Sequence, residues 1–169
     1  MSALKTFFAN CFLTLTGYTY SNLGRLFIRL FVGVMFMQFG IRQLVNFHEL
    51  ENTFPTVLGM SSATCLILMI VIELVCSLFI MVGFLTRLST VPPLVSMFLA
   101  EYYIIHDMLG DLELFGLDSV DPGYLPIMFI GIYTFIWLAG PGRISLDYFI
   151  SLRIIQARGK TEEEELEEV

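Results

Sequence analysis

From Ser61 to Leu85 the chain reads SSATCLILMIVIELVCSLFIMVGFL, a run with a single charged side chain, Glu73. A helix needs roughly 20 mostly apolar residues to cross about 30 Å of hydrocarbon. Soluble domains interrupt their apolar runs with polar faces well before that length. The run therefore points to a chain that folds in a bilayer. Three more stretches have the same character, so spans are predicted at about 23–45, 62–85, 89–106 and 124–139. The expected fold class is all-α: a polytopic membrane protein built as a four-transmembrane-helix bundle. The hydrophobic share of 56% and the mean hydropathy of +0.77 agree with it. Pro92 and Pro93 in the first turn of the third span, and Pro126 near the start of the fourth, fall where a missing N–H costs nothing.

Four spans place the amino terminus, the loop between spans two and three and the carboxyl tail on one side. That side collects Lys5, Arg25, Arg29, Arg87, Arg143, Arg153, Arg158 and Lys160, and Arg42 alone lies opposite. The positive-inside rule then puts both termini in the cytoplasm. The acids Asp107, Asp111, Glu113, Asp118 and Asp121 fall in the opposite, external loop. The net charge of −7 carries little information about partners, because six of the sixteen acids sit in the final EEEELEEV. Such a like-charge run repels itself, so residues 159–169 are expected to form a disordered tail behind a single domain, 1–158. No nucleic-acid partner is expected of this chain.

MSALKTFFANCFLTL places Leu4, Phe7, Phe8, Cys11, Phe12 and Leu15 at helical spacing, with polar residues between them. This reads as an interfacial helix at about 4–16, with a frayed tail as the alternative. Cys65 and Cys76 are expected on one helix about 16 Å apart, too far to bond to each other. No metal-ligand spacing, phosphate loop or haem-attachment motif is present. A complete stand-alone enzyme is hard to assemble from these residues.

After the fourth span comes GPGRISLD, Gly140 to Asp147. Gly140 suits the left-handed position that ends a helix, and Pro141 cannot continue it. Gly142 loosens the turn, and Arg143 is placed among phosphate headgroups. Ser145 is a candidate N-cap, and Asp147 complements the positive end of a new helix. A second interfacial helix is therefore predicted at about 145–158, with Leu146, Phe149, Ile150 and Ile154 on its apolar side.

Ionisable groups inside spans are costly and usually face the bundle interior, paired. Glu73 is placed near the midplane by its distance from both ends of span two. Two readings of it stand: a proton-handling carboxylate beside a small ligand, or an acid that fixes helix packing. Gln38 and Arg42 on span one and Glu101 on span three are expected above it, within reach in depth, as an outward-facing polar pocket. His106 lies near the outer interface, either as an interfacial histidine or as a titratable neighbour of that pocket. Arg25 and Arg29 are expected to snorkel to headgroups, and Tyr133 and Trp137 to belong to the aromatic belt.

GPGR-SLD after a fourth span, Glu73 followed by Gly83, Thr86 and Arg87, and the arginine-rich RLFIRLFVGVMFMQFGIRQL together resemble the DoxX family of small four-helix membrane proteins. The similarity runs from about Arg25 to Asp147. One departure is that Gly40 precedes Ile41 and Arg42 where the family often carries a lysine. The resemblance implies a bacterial inner-membrane protein associated with a redox system, binding a quinone-like ligand or a protein partner that carries the redox cofactor. It also implies an accessory subunit of a quinone-linked oxidoreductase, in which a homo-oligomer is open. The alternative is a non-catalytic scaffold or assembly partner of a larger complex.

Overall fold

The computed structural model describes residues 21–102 and 124–157, and among these every regular element is helical. Helix α1 spans Ser21–Val45, α2 spans Ser62–Val82, α3 spans Val91–Ala100, α4 spans Tyr124–Ala139 and α5 spans Leu146–Ala157. One-turn helices at Phe47–Leu50 and Thr86–Ser89 sit in the connections. The predicted helix at 4–16, the acidic external loop, His106 and the tail at 159–169 lie outside the described residues.

Helices α1 and α2, with 25 and 21 residues, are long and apolar enough to cross a membrane. At 1.5 Å per residue they measure about 37 and 31 Å. The described part of α3 is shorter, and α4 with 16 residues reaches about 24 Å. The ranges predicted for these two spans, 89–106 and 124–139, are likewise the shorter ones.

The ends follow from local chemistry. Ser61 caps α2, its hydroxyl accepting the Thr64 N–H at 3.3 Å. Gly83 closes α2 in the left-handed conformation, φ +77°, and the Phe84 N–H reaches back to the Phe79 carbonyl at 2.9 Å. The prolines of VPPL occupy the first turn of α3 as expected. Gly140 takes φ +71° and Gly142 φ +76°, so the GPGR turn stops α4 as its sequence predicts.

Within α2 the residues Ile72–Cys76 form a π-helical turn, and α3 continues at Glu101 and Tyr102 in the same wider winding. Both buried acids of the described chain, Glu73 and Glu101, thus lie on π turns. Such turns recur at functional sites because they re-aim a side chain within a continuous helix.

One core joins four helices: Val32 and Phe36 from α1, Ile80 from α2, Met97 from α3, and Phe129, Tyr133 and Ile136 from α4. Its centre is aromatic. Phe36 meets Phe129 at 5.3 Å and Tyr133 edge-on at 5.4 Å, while Phe129 and Tyr133 stack at 6.0 Å. Outside this core, Phe27, Phe31 and Val34 on α1, Ile67, Val71 and Leu78 on α2, and Ile127, Met128 and Leu138 on α4 are all exposed. Apolar surface this extensive is what a chain presents to lipid rather than to water.

Two placements differ from expectation. Tyr133 is fully buried in the aromatic core, whereas Trp137 is exposed as a belt residue would be. Arg29 does not snorkel: it is 1% exposed, and its guanidinium donates to the Ile144 carbonyl. The cause is the helix face it occupies. Arg29, Val32, Gly33, Phe36 and Gly40 form the buried stripe of α1, spaced three and four residues apart.

Candidate functional site

Glu73 is 2% exposed and projects from the π turn of α2 toward α1 and α4. Gly40 makes the approach possible. A Cβ on Gly40 would lie 2.9 Å from both the Glu73 Cβ and Leu74 Cδ2. With only hydrogen there, α1 and α2 close on each other, and Gln43 on the next turn of α1 reaches the carboxyl. Its Nε2 donates to Glu73 Oε1 at 3.1 Å.

Other polar atoms are buried here without a hydrogen-bond partner among the described residues: Glu73 Oε2, Gln43 Oε1 and Tyr133 Oη, with Ser77 Oγ four residues along α2. The Tyr133 phenol lies within electrostatic range of Glu73 and Cys76. Beside this cluster is a cavity of about 210 Å³, walled by Phe36, Phe39, Met97, Pro126 and Phe129 with Glu73 as its polar member. It is smaller than the roughly 300 Å³ at which drug-sized sites begin. An aromatic or aliphatic body of about one ring fits such walls, with Glu73 available to hold a polar group.

The predicted site residues divide. Glu73 and Glu101 are both buried, as expected, Glu101 fully. Gln38 and Arg42 are exposed. The expected pocket above Glu73 is therefore not gathered around Arg42, and its α1 member is Gln43. Glu101 does not line the cavity that Glu73 lines. His106 lies outside the described residues. Cys65 and Cys76 are both free thiols, and among the described residues no three metal-ligating side chains cluster.

The GPGRISLD residues build a second structured region, at the end of the helices where α1 begins and α4 ends. Ser145 caps α5, accepting the Tyr148 N–H at 3.1 Å. Asp147 occupies the first turn of α5 as expected, and the structure gives it a further task. Its Oδ1 accepts the Leu85 N–H at 2.6 Å and its Oδ2 accepts the Thr86 N–H and hydroxyl, each at 2.8 Å. Its own N–H donates to the Gly83 carbonyl at 2.9 Å. The carboxylate thus caps the Thr86–Ser89 turn and steadies Leu85, a non-glycine residue at φ +46°. Two motifs about sixty residues apart in sequence, Gly83-x-x-Thr86 and Ser145-Leu-Asp147, are one hydrogen-bonded junction, with Arg29 behind it.

Comparison with known proteins agrees with this architecture. The DoxX family model matches residues 24–107. An uncharacterized membrane protein of Mycobacterium tuberculosis is 31% identical over 143 residues, covering 75% of this chain and 80% of that protein. No solved structure matches the chain. With its apolar exterior, its helices of spanning length and its motifs joined at one junction, this chain is a membrane protein and belongs to the DoxX family.

Proposed function

We propose that the chain is a four-span inner-membrane protein with both termini in the cytoplasm, and that it serves a redox system by binding a quinone-like ligand beside Glu73 and handling its protons. A protein partner carries the electrons. The observation that supports this most is the juxtaposition of a one-ring apolar cavity with buried, unsatisfied acceptors at Glu73 and Gln43. Unsatisfied buried polar atoms cost about 1–3 kcal/mol each, so a fold that keeps several in one place has a use for them.

The chemistry follows from which atoms are occupied. Gln43 orients the carboxyl through Oε1 and leaves Oε2 open toward a ligand hydroxyl. Oxidation of a ring diol releases two protons with its two electrons. Glu73 is placed to take one of them, and the apolar walls of phenylalanine, methionine and proline leave it as the polar group of the cavity. The Tyr133 hydroxyl, buried and in electrostatic range of Glu73, is placed to pass a proton onward.

The second reading is a scaffold. The Gln43 to Glu73 bond ties α1 to α2 beside the close contact at Gly40, which is what a packing device would do. Organic extraction of the purified protein followed by mass spectrometry decides between them. A co-purifying isoprenoid ring compound, lost in a Phe36→Ala or Glu73→Gln variant that still folds, supports the ligand reading. A clean extract from active membranes favours the scaffold.

A further inference from the structure

Glu73 does not face the two ends of the bundle alike. Toward the Asp147 junction, one apolar residue from each of α1 to α4 fills the interior: Val32, Ile80, Pro93 and Ile136. Each is less than 2% exposed, and Val32, Ile80 and Ile136 belong to one packed cluster. Beyond this layer the buried hydroxyls are already engaged, Thr86 with Asp147, Ser89 with the Phe84 carbonyl and Thr90 with the Arg87 carbonyl. Arg29 also lies there, eleven residues before Gly40 and so roughly 16 Å along α1 from the level of Glu73. Moving a charge through such a layer strips it of its partners, so the layer is a barrier to protons.

The opposite direction is polar and open. The cavity beside Glu73 draws Leu125 and Pro126 from the first turn of α4, and Leu125 is its exposed wall residue. Gln43, bonded to the carboxyl, is half-buried on the last turn of α1. On α3 the buried Glu101 follows Met97 by one turn in the same direction. The mouth of the cavity and these polar groups thus share the end where α1 stops and α2 and α4 start. Two further titratable groups are near Glu73, Tyr133 of α4 and Cys76 of α2, while α1 meets it with the neutral Gln43. Tyr133 stands one turn from Phe129 toward the apolar layer, with Ile136 next along α4. A proton that reaches the phenol can return to Glu73 and travels no farther toward the junction.

We infer that Glu73 exchanges protons with one side of the membrane only, the side opposite the Asp147 junction. That side is the outside in the topology proposed above. The inference rests on the proton-handling reading of Glu73 and adds a direction to it: the proton taken from a ring diol is delivered away from the junction, while the electrons pass to the partner.

The test uses the full chain in membrane vesicles, right side out and inverted, with pH set independently on the two faces and the potential held at zero by valinomycin and matched potassium. The probe is dicyclohexylcarbodiimide, an apolar reagent that adds to protonated carboxyls, and the readout is labelling of Glu73 by mass spectrometry. Labelling should fall as the pH opposite the junction is raised, approaching about tenfold per unit once the carboxyl is mostly ionised. It should not respond to pH on the junction side. A reporter after Lys160 identifies that side, so a reversed topology is told apart from a failed inference. Ile136→Ser places a hydroxyl in the apolar layer and should make labelling follow the pH of both faces. Should it fail to fold, Val32→Thr adds a hydroxyl at nearly constant shape. Wild-type labelling that follows the junction side, both sides or neither overturns the inference, as does a folded layer variant that stays as one-sided as the wild type. The proton-handling reading fails separately, if Glu73→Gln leaves turnover intact, and the ligand reading fails if extraction yields no ring compound.

Discussion

Asp147 and Thr86 are joined twice: one carboxylate oxygen accepts both the backbone N–H and the hydroxyl of Thr86, each at 2.8 Å. The pair links the start of α5 to the turn after α2. Hydrogen bonds to a charged acceptor contribute about 1.5–3 kcal/mol, against about 1 for neutral ones. Asp147→Asn retains one acceptor oxygen and loses the charge, so it should destabilise the protein by about 2 kcal/mol. Thermal unfolding in detergent checks this, and an unchanged midpoint would show that the junction is not a stability element.

Glycines of this chain should respond to alanine according to their surroundings rather than their number. Gly83 combines φ +77° with Arg29 Nη1 and Ser145 Cβ in the space a Cβ would need, so Gly83→Ala should cost several kcal/mol or abolish folding. Gly59 also has positive φ, +74°, but nothing within 4 Å, and Gly59→Ala should cost about 1 kcal/mol. Gly131 lies within α4 with open space around it, and Gly131→Ala should be neutral or stabilise by up to about 1 kcal/mol in the helix. Relative folded yields of the three variants test that ranking.

Much of this geometry is legible in the sequence wherever the signal is local. Gly140 and Ser145 announce a helix stop and a helix cap through chemistry confined to a few residues, and both take those conformations. Gln43 escapes a reading that places Gln38 and Arg42 above Glu73, because both of those lie on the exposed side of α1. The better guide was the small residues. Gly33 and Gly40 are seven apart, and continuing that row backward by four and forward by three picks out Arg29 and Gln43. Tyr133 gave no such clue, since α4 is apolar on all sides and its sequence does not say which side is inward. The π turn is also silent in the sequence, because it inserts no characteristic residue.

Glu73→Gln preserves shape and hydrogen bonding while removing titration. A proton-handling role predicts a folded protein whose redox system loses activity at least about tenfold, within the usual contribution of acid–base catalysis. A packing role predicts activity per folded molecule unchanged, since glutamine can still accept from Gln43. Stability and quinone-dependent turnover measured on one sample separate the two.

Tyr133→Phe removes a buried hydroxyl that has no partner among the described residues. The free protein should therefore be as stable as the wild type or slightly more so, in contrast to the loss of about 1 kcal/mol expected when a bonded hydroxyl is deleted. If turnover falls while the midpoint holds, the hydroxyl belongs to the ligand or the proton path. A clear loss of stability would show that the hydroxyl is satisfied in the folded protein and overturn this expectation.

The proposed topology makes reporter fusions after Asp111 and after Lys160 read opposite sides of the membrane. Agreement between the two reporters would remove one span from the arrangement.

The junction at Asp147 also sets an order in time. Proteins emerge from the ribosome amino end first, so α1 and α2 enter the membrane before residues 144–147 exist. Until they arrive, the Leu85 and Thr86 N–H groups lack their acceptor and Arg29 lacks the Ile144 carbonyl to which it donates. The early helices can insert, yet the end at which they meet stays unlocked, and the last turn to be translated is the one that latches the first helix in place.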